Sequence, residues 1–179
     1  MFILASASAS RKKLLEGYRF RVVPPRVREV RRGTLRTTVL VNAKRKADAV
    51  ARRFPDTWVL AADTMIEFGG RIYGKPRDRK AAILLLRRLA GKTHVLATGA
   101  VLQKGSFRIL KYVTSKVTLR EEPPIEKIVA REDPTKYAGG YRIREKNDPL
   151  IARIEGSRSN VVGLPLEALA PLLKSLDRS

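Results

Sequence analysis

The chain contains no cysteine and a single histidine among its 179 residues. The absence of cysteine excludes disulfides, thiolate zinc sites and a cysteine nucleophile. His94 has no second imidazole with which to hold zinc, and it lies in a β-rich segment, so we expect it to form a structural hydrogen bond. No Gly-x-Ser-x-Gly elbow is present either, and the sequence therefore does not favour a serine hydrolase.

Long apolar runs are also missing. No segment approaches the roughly 20 apolar residues that form a transmembrane helix. Residues 1–5 are apolar but too few for a signal peptide, and no basic region precedes them. We therefore expect a cytoplasmic protein that contacts no membrane. A chain of this length fits one domain, which we take as residues 1–179, with or without two lobes.

Acidic residues are scarce compared with basic ones. The chain has 38 Lys and Arg against 17 Asp and Glu, which gives a net charge of +21. A field of this sign attracts anions, and the charge by itself does not distinguish nucleic acid, anionic membranes and free nucleotides. Aromatic residues make up only 6% of the chain, and no basic and aromatic residues interleave as they do in base-stacking platforms.

Strand and helix patterns alternate along the chain. We predict strands at residues 2–5, 19–23, 58–62, 93–102 and 107–119, where β-favouring apolar residues cluster. We predict helices at residues 37–53, at 79–89 with Asp78 as N-cap, from Pro123-Pro124 to Ala130, and after Pro165. Gly69-Gly70 and Lys104-Gly105-Ser106 predict hairpins. Together these patterns indicate a mixed-sheet α/β fold.

Asp63 is the strongest single candidate for chemistry. It ends the predicted strand at 58–62, where a carboxylate loses water and needs a proton, a cation or a metal. The Gly69-Gly70 turn would bring Lys75 back towards it. An acid and a lysine around one cleft suit a phosphate substrate with a metal ion, although a strand-end aspartate is as often a structural cap.

Three other segments offer polar candidates. The serine-rich residues 6–11 lie between a strand and a helix, where amides, hydroxyls and a guanidinium can bind an anion, or where serines can simply cap the helix. Glu29, taken alone, is expected to be a surface ion-pair partner. Lys46, taken alone, is expected on a solvated helix face beside Lys44 and Arg45.

Four blocks, in order, make nearly the whole chain similar to one protein family. They are Leu4-Ala5-Ser6-Ala7-Ser8 with residues 11–15, Ala62-Asp63-Thr64 with Gly74-Lys75-Pro76, Gly91-Lys92-Thr93-His94 through Thr98-Gly99, and Gly156-Ser157 through residues 160–166. In this arrangement the chain resembles the Maf family of nucleoside triphosphate pyrophosphatases.

The resemblance implies an elongated two-lobed α/β fold, related to the inosine triphosphate pyrophosphatases, with a cleft between the lobes. It implies cleavage of nucleoside triphosphates to the monophosphate and pyrophosphate with a divalent metal such as Mg²⁺, Mn²⁺ or Co²⁺, and commonly a homodimer. Carried over by position, Asp63 matches the proton acceptor, Ser8, Arg11, Lys46 and Lys75 match phosphate contacts, and Glu29 with Asp63 matches the metal site.

The chain departs from the family at two motifs. Where the family usually has Ser-Pro-Arg-Arg, this chain has Ser8-Ala9-Ser10-Arg11, and the segment at 136–144 ends in Arg144 where the family usually has Gln. Ser10, Thr64 and Arg144 therefore occupy the three positions that separate the family's substrate groups. Thr64 fits the dTTP/UTP-type branch, whereas Ser10 and Arg144 fit neither that branch nor the 7-methyl-GTP branch.

Two functions from different classes are consistent with these features. The first is hydrolysis of nucleoside triphosphates, with dTTP, UTP or modified nucleotides as substrates, to clean the nucleotide pool. The second is a catalytically weak Maf-like protein that binds nucleic acid or regulates cell division, as the charge of +21 and the lost arginine suggest. Salt-dependent binding of nucleic acid without turnover would favour the second.

Overall fold

The computed structural model describes residues 1–144 and 147–177. Across these residues the strands are β1 (Phe2–Leu4), β2 (Phe20–Val22), β3 (Val59–Phe68), β4 (Arg71–Tyr73), β5 (Thr93–Lys104), β6 (Phe107–Leu119) and β7 (Ile151–Gly156). The helices are α1 (Ala9–Leu14), α2 (Leu35–Ala51), α3 (Arg79–Leu89), α4 (Ile125–Arg131), α5 (Arg158–Val162) and α6 (Leu166–Asp177), with 3₁₀ turns at Pro134–Lys136 and Ala138–Gly140. None of the helices in this part of the chain is both long and apolar enough to cross a bilayer.

All seven strands belong to one mixed sheet, which confirms the predicted mixed-sheet α/β fold. The order is β2-β1-β3-β5-β6-β7, and β4 pairs with β3. β1 is parallel to both β2 and β3, whereas β3, β5, β6 and β7 form successive antiparallel pairs. Long β3, β5 and β6 strands therefore form the middle of the sheet.

Local signals in the sequence account for several of these elements. The Asp78 side chain accepts a hydrogen bond from the Ala81 N–H, and this N-cap begins α3 at the predicted residue. Gly69 and Gly70 both have positive φ, as a two-residue hairpin turn requires, and they join β3 to β4. Both predicted hairpins and the bounds of α3 are confirmed.

The strand before Asp63 is longer than the sequence suggests. β3 continues to Phe68, so Asp63 lies in the middle of the strand and the prediction that it ends the strand is wrong. Its backbone position is fixed by pairing with Gly99 of β5, and the register continues on both sides. A carboxylate is tolerated here because α2 supplies hydrogen-bond donors to it, as described below.

Alternate residues of β3 face different partners on the two sides of the sheet. On one side Ala61 packs with Ala43 and Ala47 of α2. On the other side the residues fall into two apolar clusters. One contains Leu60, Ala62, Leu15, Leu164, Leu169 and Leu173, and the other contains Ile66, Leu86, Leu89, Leu96, Val117 and Val129. Thr64 lies on β3 between Ala62, which belongs to the first cluster, and Ile66, which belongs to the second.

One edge of β3 is open beside Asp63. β1 pairs with this edge at Val59 and Leu60, and β4 pairs with it at residues 66–68. Among the described strands none pairs with it at residues 61–65, because β5 occupies the opposite edge. The loop that follows β1 and the loop that follows β4 therefore flank this opening, and they carry Ser8 and Lys75.

Candidate active site

A cavity of about 600 Å³ lies at this opening. Its lining includes every residue that the sequence singled out as a candidate for catalysis, substrate contact, specificity or metal binding: Ser8, Ser10, Arg11, Glu29, Lys46, Asp63, Thr64, Lys75 and Arg144. Residues that are far apart in the chain thus meet in one place. The individual roles of these residues remain predictions.

Asp63 is held by two side chains of α2. Only 3% of the residue is exposed. Its Oδ1 accepts a hydrogen bond from Lys46 Nζ at 2.6 Å, and its Oδ2 accepts one from Asn42 Nδ2 at 2.9 Å. Asn42 and Lys46 are four residues apart on a helix and so project from the same face. The buried carboxylate therefore has a donor on each oxygen, as burial requires.

Lys46 is buried, so the expectation of a solvated face is wrong. It is 8% exposed, and its ammonium contacts Glu29 Oε1 at 2.7 Å as well as Asp63. A buried ammonium is stable only when paired, and here two carboxylates pair with it. Glu29 is thus an exposed ion-pair partner, as predicted, and it also lines the cavity.

The pKa of the Glu29 carboxyl reflects this cationic surrounding. Partial burial alone would raise the pKa. The ion pair and hydrogen bond with Lys46, together with the nearby charges of Lys75 and Arg11, outweigh burial and hold the pKa below its ordinary value of 4.5. Glu29 is therefore ionised at neutral pH and available to a cation.

Arg11 is fixed by three hydrogen bonds within the protein. Nε donates to the Gly163 carbonyl oxygen at 2.7 Å, Nη2 to Thr64 Oγ1 at 3.1 Å and Nη1 to Ser6 Oγ at 3.3 Å. Burial lowers the pKa of the guanidinium, and the carboxylates of Asp63 and Glu29 oppose this. Because an arginine has five N–H donors, two remain for an anion in the cavity.

A chain of hydroxyl groups continues behind Arg11. Thr98 Oγ1 donates to the Asn160 carbonyl oxygen at 3.3 Å, so its oxygen can accept from Thr64 Oγ1, which lies 2.9 Å away. The Thr64 hydroxyl then accepts from Arg11 and donates to Thr98, its contact to Gly163 O being longer at 3.4 Å. Thr64 therefore orients Arg11 in addition to lining the cavity.

Lys75 lies at the mouth of the cavity. Within the described part of the chain, its ammonium has no hydrogen-bond or ion-pair partner, and the residue is exposed. Although the residue as a whole is exposed, partial desolvation of the ammonium lowers its pKa; the charge of Glu29, and that of Asp63, opposes this, and the positive charges of Arg11 and Lys46 add to it. The structure thus places Lys75 at the same cavity as Asp63, as the hairpin predicted, and the N–H donors of its ammonium are free for a ligand.

Arg142 and Arg144 also line the cavity. Glu132 pairs with both, at 3.0 Å to Arg142 Nε and 3.0 Å to Arg144 Nη2. The hydrogen bond and charge of Glu132 raise the pKa of Arg142. Asp148 accepts a hydrogen bond from the Arg144 backbone N–H at 2.7 Å. This part of the lining is therefore cationic, and Glu132 and Asp148 hold it in place.

The two carboxylates at Lys46 fit a hard divalent cation. In the described residues no group of three or more His, Cys, Asp or Glu side chains is arranged to hold a metal. Glu29 and Asp63 nevertheless present oxygen ligands around one position, which Lys46 now occupies. Mg²⁺ commonly binds one or two carboxylates and completes its shell with substrate phosphates and water. These residues fit such an ion if the ammonium moves away.

Three contributors to this geometry were missed by sequence reasoning. Asn42, Thr98 and Gly163 contact Asp63, Thr64 and Arg11 respectively. Asn42 had a usable signal, since it lies one helical turn before Lys46 and next to the apolar residues Val41 and Ala43. Thr98 and Gly163 lie in the blocks that resemble the family, but their contacts could not be predicted because their partners are distant in the sequence.

His94 has the structural role that was predicted for it. It is buried on β5, and its Nε2 lies 2.6 Å from the Tyr141 hydroxyl. Burial lowers the pKa of His94 from 6.5 to about 4, so the imidazole is neutral at pH 7. Tyr141 in turn lines the cavity, and the pair therefore supports its wall.

Comparison with known proteins identifies the family. The model of the family described as Maf-like protein matches residues 1–176. The chain is 39% identical to the dTTP/UTP pyrophosphatase of Dictyoglomus thermophilum, over 99% of this chain and 96% of that protein. It is 38% identical to the proteins of the same name from Latilactobacillus sakei (98% and 100% covered) and Myxococcus xanthus (97% and 91% covered). The chain therefore belongs to the Maf-like protein family.

Proposed function

We propose that this protein is a nucleoside triphosphate pyrophosphatase that hydrolyses dTTP and UTP to the monophosphate and pyrophosphate. One observation carries the proposal: a buried carboxylate, Asp63, shares a cavity with the cations Arg11, Lys46 and Lys75. Relatives with 38–39% identity over nearly their whole length are named dTTP/UTP pyrophosphatases, and this supports the substrate class.

The reaction cleaves the bridge between the α- and β-phosphates. A water oxygen attacks one of the two phosphorus atoms that share the bridging oxygen, and the bond from that phosphorus to the bridging oxygen breaks. Asp63 would orient this water and accept its proton. Negative charge develops on the leaving phosphate, and Arg11 from α1 and Lys75 from the loop after β4 would stabilise it.

Lys46 would change partners when the substrate binds. Its ammonium now contacts Asp63 Oδ1 and Glu29 Oε1, and a polyphosphate offers it a more negative partner. Its departure would release a carboxylate oxygen of Asp63 to accept the proton of water. A divalent cation bound by Glu29 and Asp63, such as Mg²⁺, Mn²⁺ or Co²⁺, would neutralise phosphate charge there.

Base selectivity would depend on Ser10, Thr64 and Arg144, which all line the cavity. An arginine has only donors, so a contact from Arg144 to the base would favour a carbonyl oxygen over an amino group. Uracil and thymine carry a carbonyl at the position where cytosine has an amino group. This argument supports dTTP and UTP over dCTP and CTP.

We further infer that the fold has two lobes with the cavity between them. Two apolar clusters lie on the same face of the sheet, one with α6 and one with α3. Thr64 and Thr98 lie on β3 and β5 between these clusters, and the cavity is lined from both sides of this boundary, by Arg11 and by Arg144. If each cluster is the core of one lobe, the cavity is the cleft between the two lobes.

Release of pyrophosphate tests the proposed function. The purified protein is assayed with Mg²⁺ on all canonical nucleoside triphosphates and on 7-methyl-GTP, with wild type and Asp63→Asn. We expect dTTP and UTP to be the best substrates, and kcat to fall by about 10²- to 10⁴-fold in Asp63→Asn, since an amide cannot accept the proton. Wild-type activity in this variant would remove Asp63 from catalysis.

Asp78→Asn provides the matched control. The same substitution of aspartate by asparagine is made here at the N-cap of α3, and Asp78 is not part of the cavity lining. Asparagine is as good an N-cap as aspartate, so stability and kcat should stay at the wild-type level. If wild type releases no pyrophosphate from dTTP or UTP, the substrate assignment is wrong.

A further inference from the structure

The Asn42 side chain links the Asp63 carboxylate to the backbone of Val30. It lies on α2, and 1% of the residue is exposed. Its Nδ2 donates to Asp63 Oδ2 at 2.9 Å and to the Val30 carbonyl oxygen at 3.0 Å, and its Oδ1 accepts from the Val30 N–H at 2.8 Å. Both amide protons are therefore used within the protein.

These partners allow a single orientation of the Asn42 amide. The Asp63 carboxylate and the Val30 carbonyl are acceptors, whereas the Val30 N–H is a donor. A rotated amide would place its oxygen against the carboxylate of Asp63 and its NH₂ group against the N–H of Val30. The three hydrogen bonds thus lock Asn42, and through it they fix one oxygen of Asp63.

Asn42 also joins a loop to the central strand. Val30 follows Glu29 in a segment without regular secondary structure between β2 and α2. Ordering a backbone of this kind costs about 1–2 kcal/mol per residue in conformational entropy. The two bonds from Asn42 to the Val30 backbone offset part of this cost, and they hold the neighbouring Glu29 within reach of the Lys46 ammonium, which also contacts Asp63.

We propose that Asn42 is a positioning residue for the reaction. It sets the rotation of the Asp63 carboxylate and holds Glu29 beside it, so that substrate and water meet both carboxylates in one geometry. Asn42 is absent from the cavity lining in the described part of the chain, and it acts only through Asp63 and Glu29. The inference rests on the proposed pyrophosphatase function.

Two Asn42 variants test the proposal. Asn42→Asp has nearly the same volume and keeps an oxygen for the Val30 N–H, but it has no N–H for Asp63. Asn42→Ser is neutral and too short to reach Asp63, so it removes the contact without adding charge. We expect kcat for dTTP to fall by about 30- to 100-fold in both, as displacement of a reacting group by about 1 Å does, with KM within about threefold of wild type.

Thr38→Val is the matched control. Thr38 is buried on α2 one turn before Asn42, and its hydroxyl donates to the Arg32 carbonyl oxygen at 2.9 Å. This bond anchors the same loop without contacting Asp63. We expect kcat within about twofold of wild type. An equal loss of kcat in Thr38→Val would show that loop anchoring alone matters, and it would overturn the proposal, as would wild-type kcat in both folded Asn42 variants.

A crystal structure of Asn42→Ser gives a readout that does not depend on turnover. We expect the Asp63 carboxylate to be rotated and its separation from Glu29 to change relative to wild type. Unmoved carboxylates would overturn the inference even if wild type proves to act on another substrate. Failure of the proposed function is seen separately, as absence of pyrophosphate release by wild type.

Discussion

Arg11 illustrates how this site prepares a cation before any substrate arrives. Its guanidinium is held by Ser6, Thr64 and Gly163 through three of its nitrogens. A long flexible side chain loses about 1.5–2 kcal/mol of rotamer entropy when it is immobilised. Because folding has already fixed this side chain, that cost does not fall on substrate binding. The second layer, Thr98 and the Asn160 carbonyl, fixes Thr64 in the same way.

Removal of the Thr98 hydroxyl tests this second layer. Thr98→Val keeps the shape of the side chain but removes the acceptor at 2.9 Å from the Thr64 hydroxyl, which is left with the longer contact to the Gly163 carbonyl oxygen at 3.4 Å. We expect KM for dTTP to rise by about three- to tenfold, with a smaller change in kcat, because Arg11 is less well fixed. Steady-state kinetics at fixed Mg²⁺ measures both constants.

Thr93→Val is the control on the same strand. Thr93 forms a similar hydroxyl pair with Thr118 at 2.8 Å, but on the exposed surface and outside the cavity lining. It should leave KM unchanged, and Thr98→Ser should restore the wild-type KM because the hydroxyl is kept. A wild-type KM in Thr98→Val would show that Arg11 does not depend on the hydroxyl chain.

At this scale the sequence predicted which residues meet but not how they are held. All nine candidate residues line the cavity, because ordered motifs report on a shared site. The burial of Lys46 was missed, since its two carboxylate partners lie 17 residues away in either direction along the chain. The Asn42–Asp63 contact spans 21 residues and the Thr98–Asn160 contact 62, beyond the reach of any local pattern.

The placement of α2 on the sheet depends on Gly99 of β5. A Cβ atom at this position would lie 2.7 Å from the Val39 backbone carbon and 2.8 Å from the Leu40 nitrogen. Real Cβ contacts are longer, and the backbone of a helix cannot turn aside as a side chain can. Gly99 also pairs with Asp63, so α2 approaches the sheet closely beside the candidate catalytic residue.

We therefore expect Gly99→Ala to shift α2 away from the sheet. The shift would stretch the contacts from Asn42 and Lys46 to Asp63, and overpacking of this kind costs about 1–3 kcal/mol in the free energy of unfolding. Urea unfolding measures the loss in the free energy of unfolding. The kcat of the folded variant, measured without urea, should also fall. Gly74→Ala is the control for stability, because its Cβ would meet only the flexible Arg31 side chain at 3.1 Å. Equal stability of wild type and Gly99→Ala would contradict this account.

Elements that carry their own start and stop signals were predictable. α3 has an N-cap aspartate and a following glycine, and the two hairpins have glycine at their turns, so local chemistry defines them. The length of β3 was not predictable, because pairing with β5 continues through the polar residue Asp63. α5, with five residues, is too short to show a helical period, and it was missed.

The net charge of +21 acts on the molecule as a whole. Basic side chains also outnumber acidic ones around the cavity, where Glu29, Asp63 and Glu167 are the acidic residues of the lining. Such a field raises the local concentration of anions and speeds their capture. A polyphosphate and a nucleic acid respond to this field alike, so charge alone does not separate the two functions that the sequence leaves open.

The salt dependence of substrate capture separates them when combined with competition. For a nucleotide hydrolase, kcat/KM for dTTP should fall by about three- to tenfold between 0.05 and 0.5 M NaCl at constant free Mg²⁺, because the Debye length shrinks from over 10 Å to about 4 Å. The kcat at saturating dTTP should change little, since Asp63 and its buried partners are screened less than surface charges. A single-stranded oligonucleotide should compete only weakly with dTTP, and the competition should become weaker still as the salt concentration rises. Tight oligonucleotide binding with no pyrophosphate release would instead favour the nucleic-acid-binding alternative, in which the cavity cations serve only as part of a basic surface.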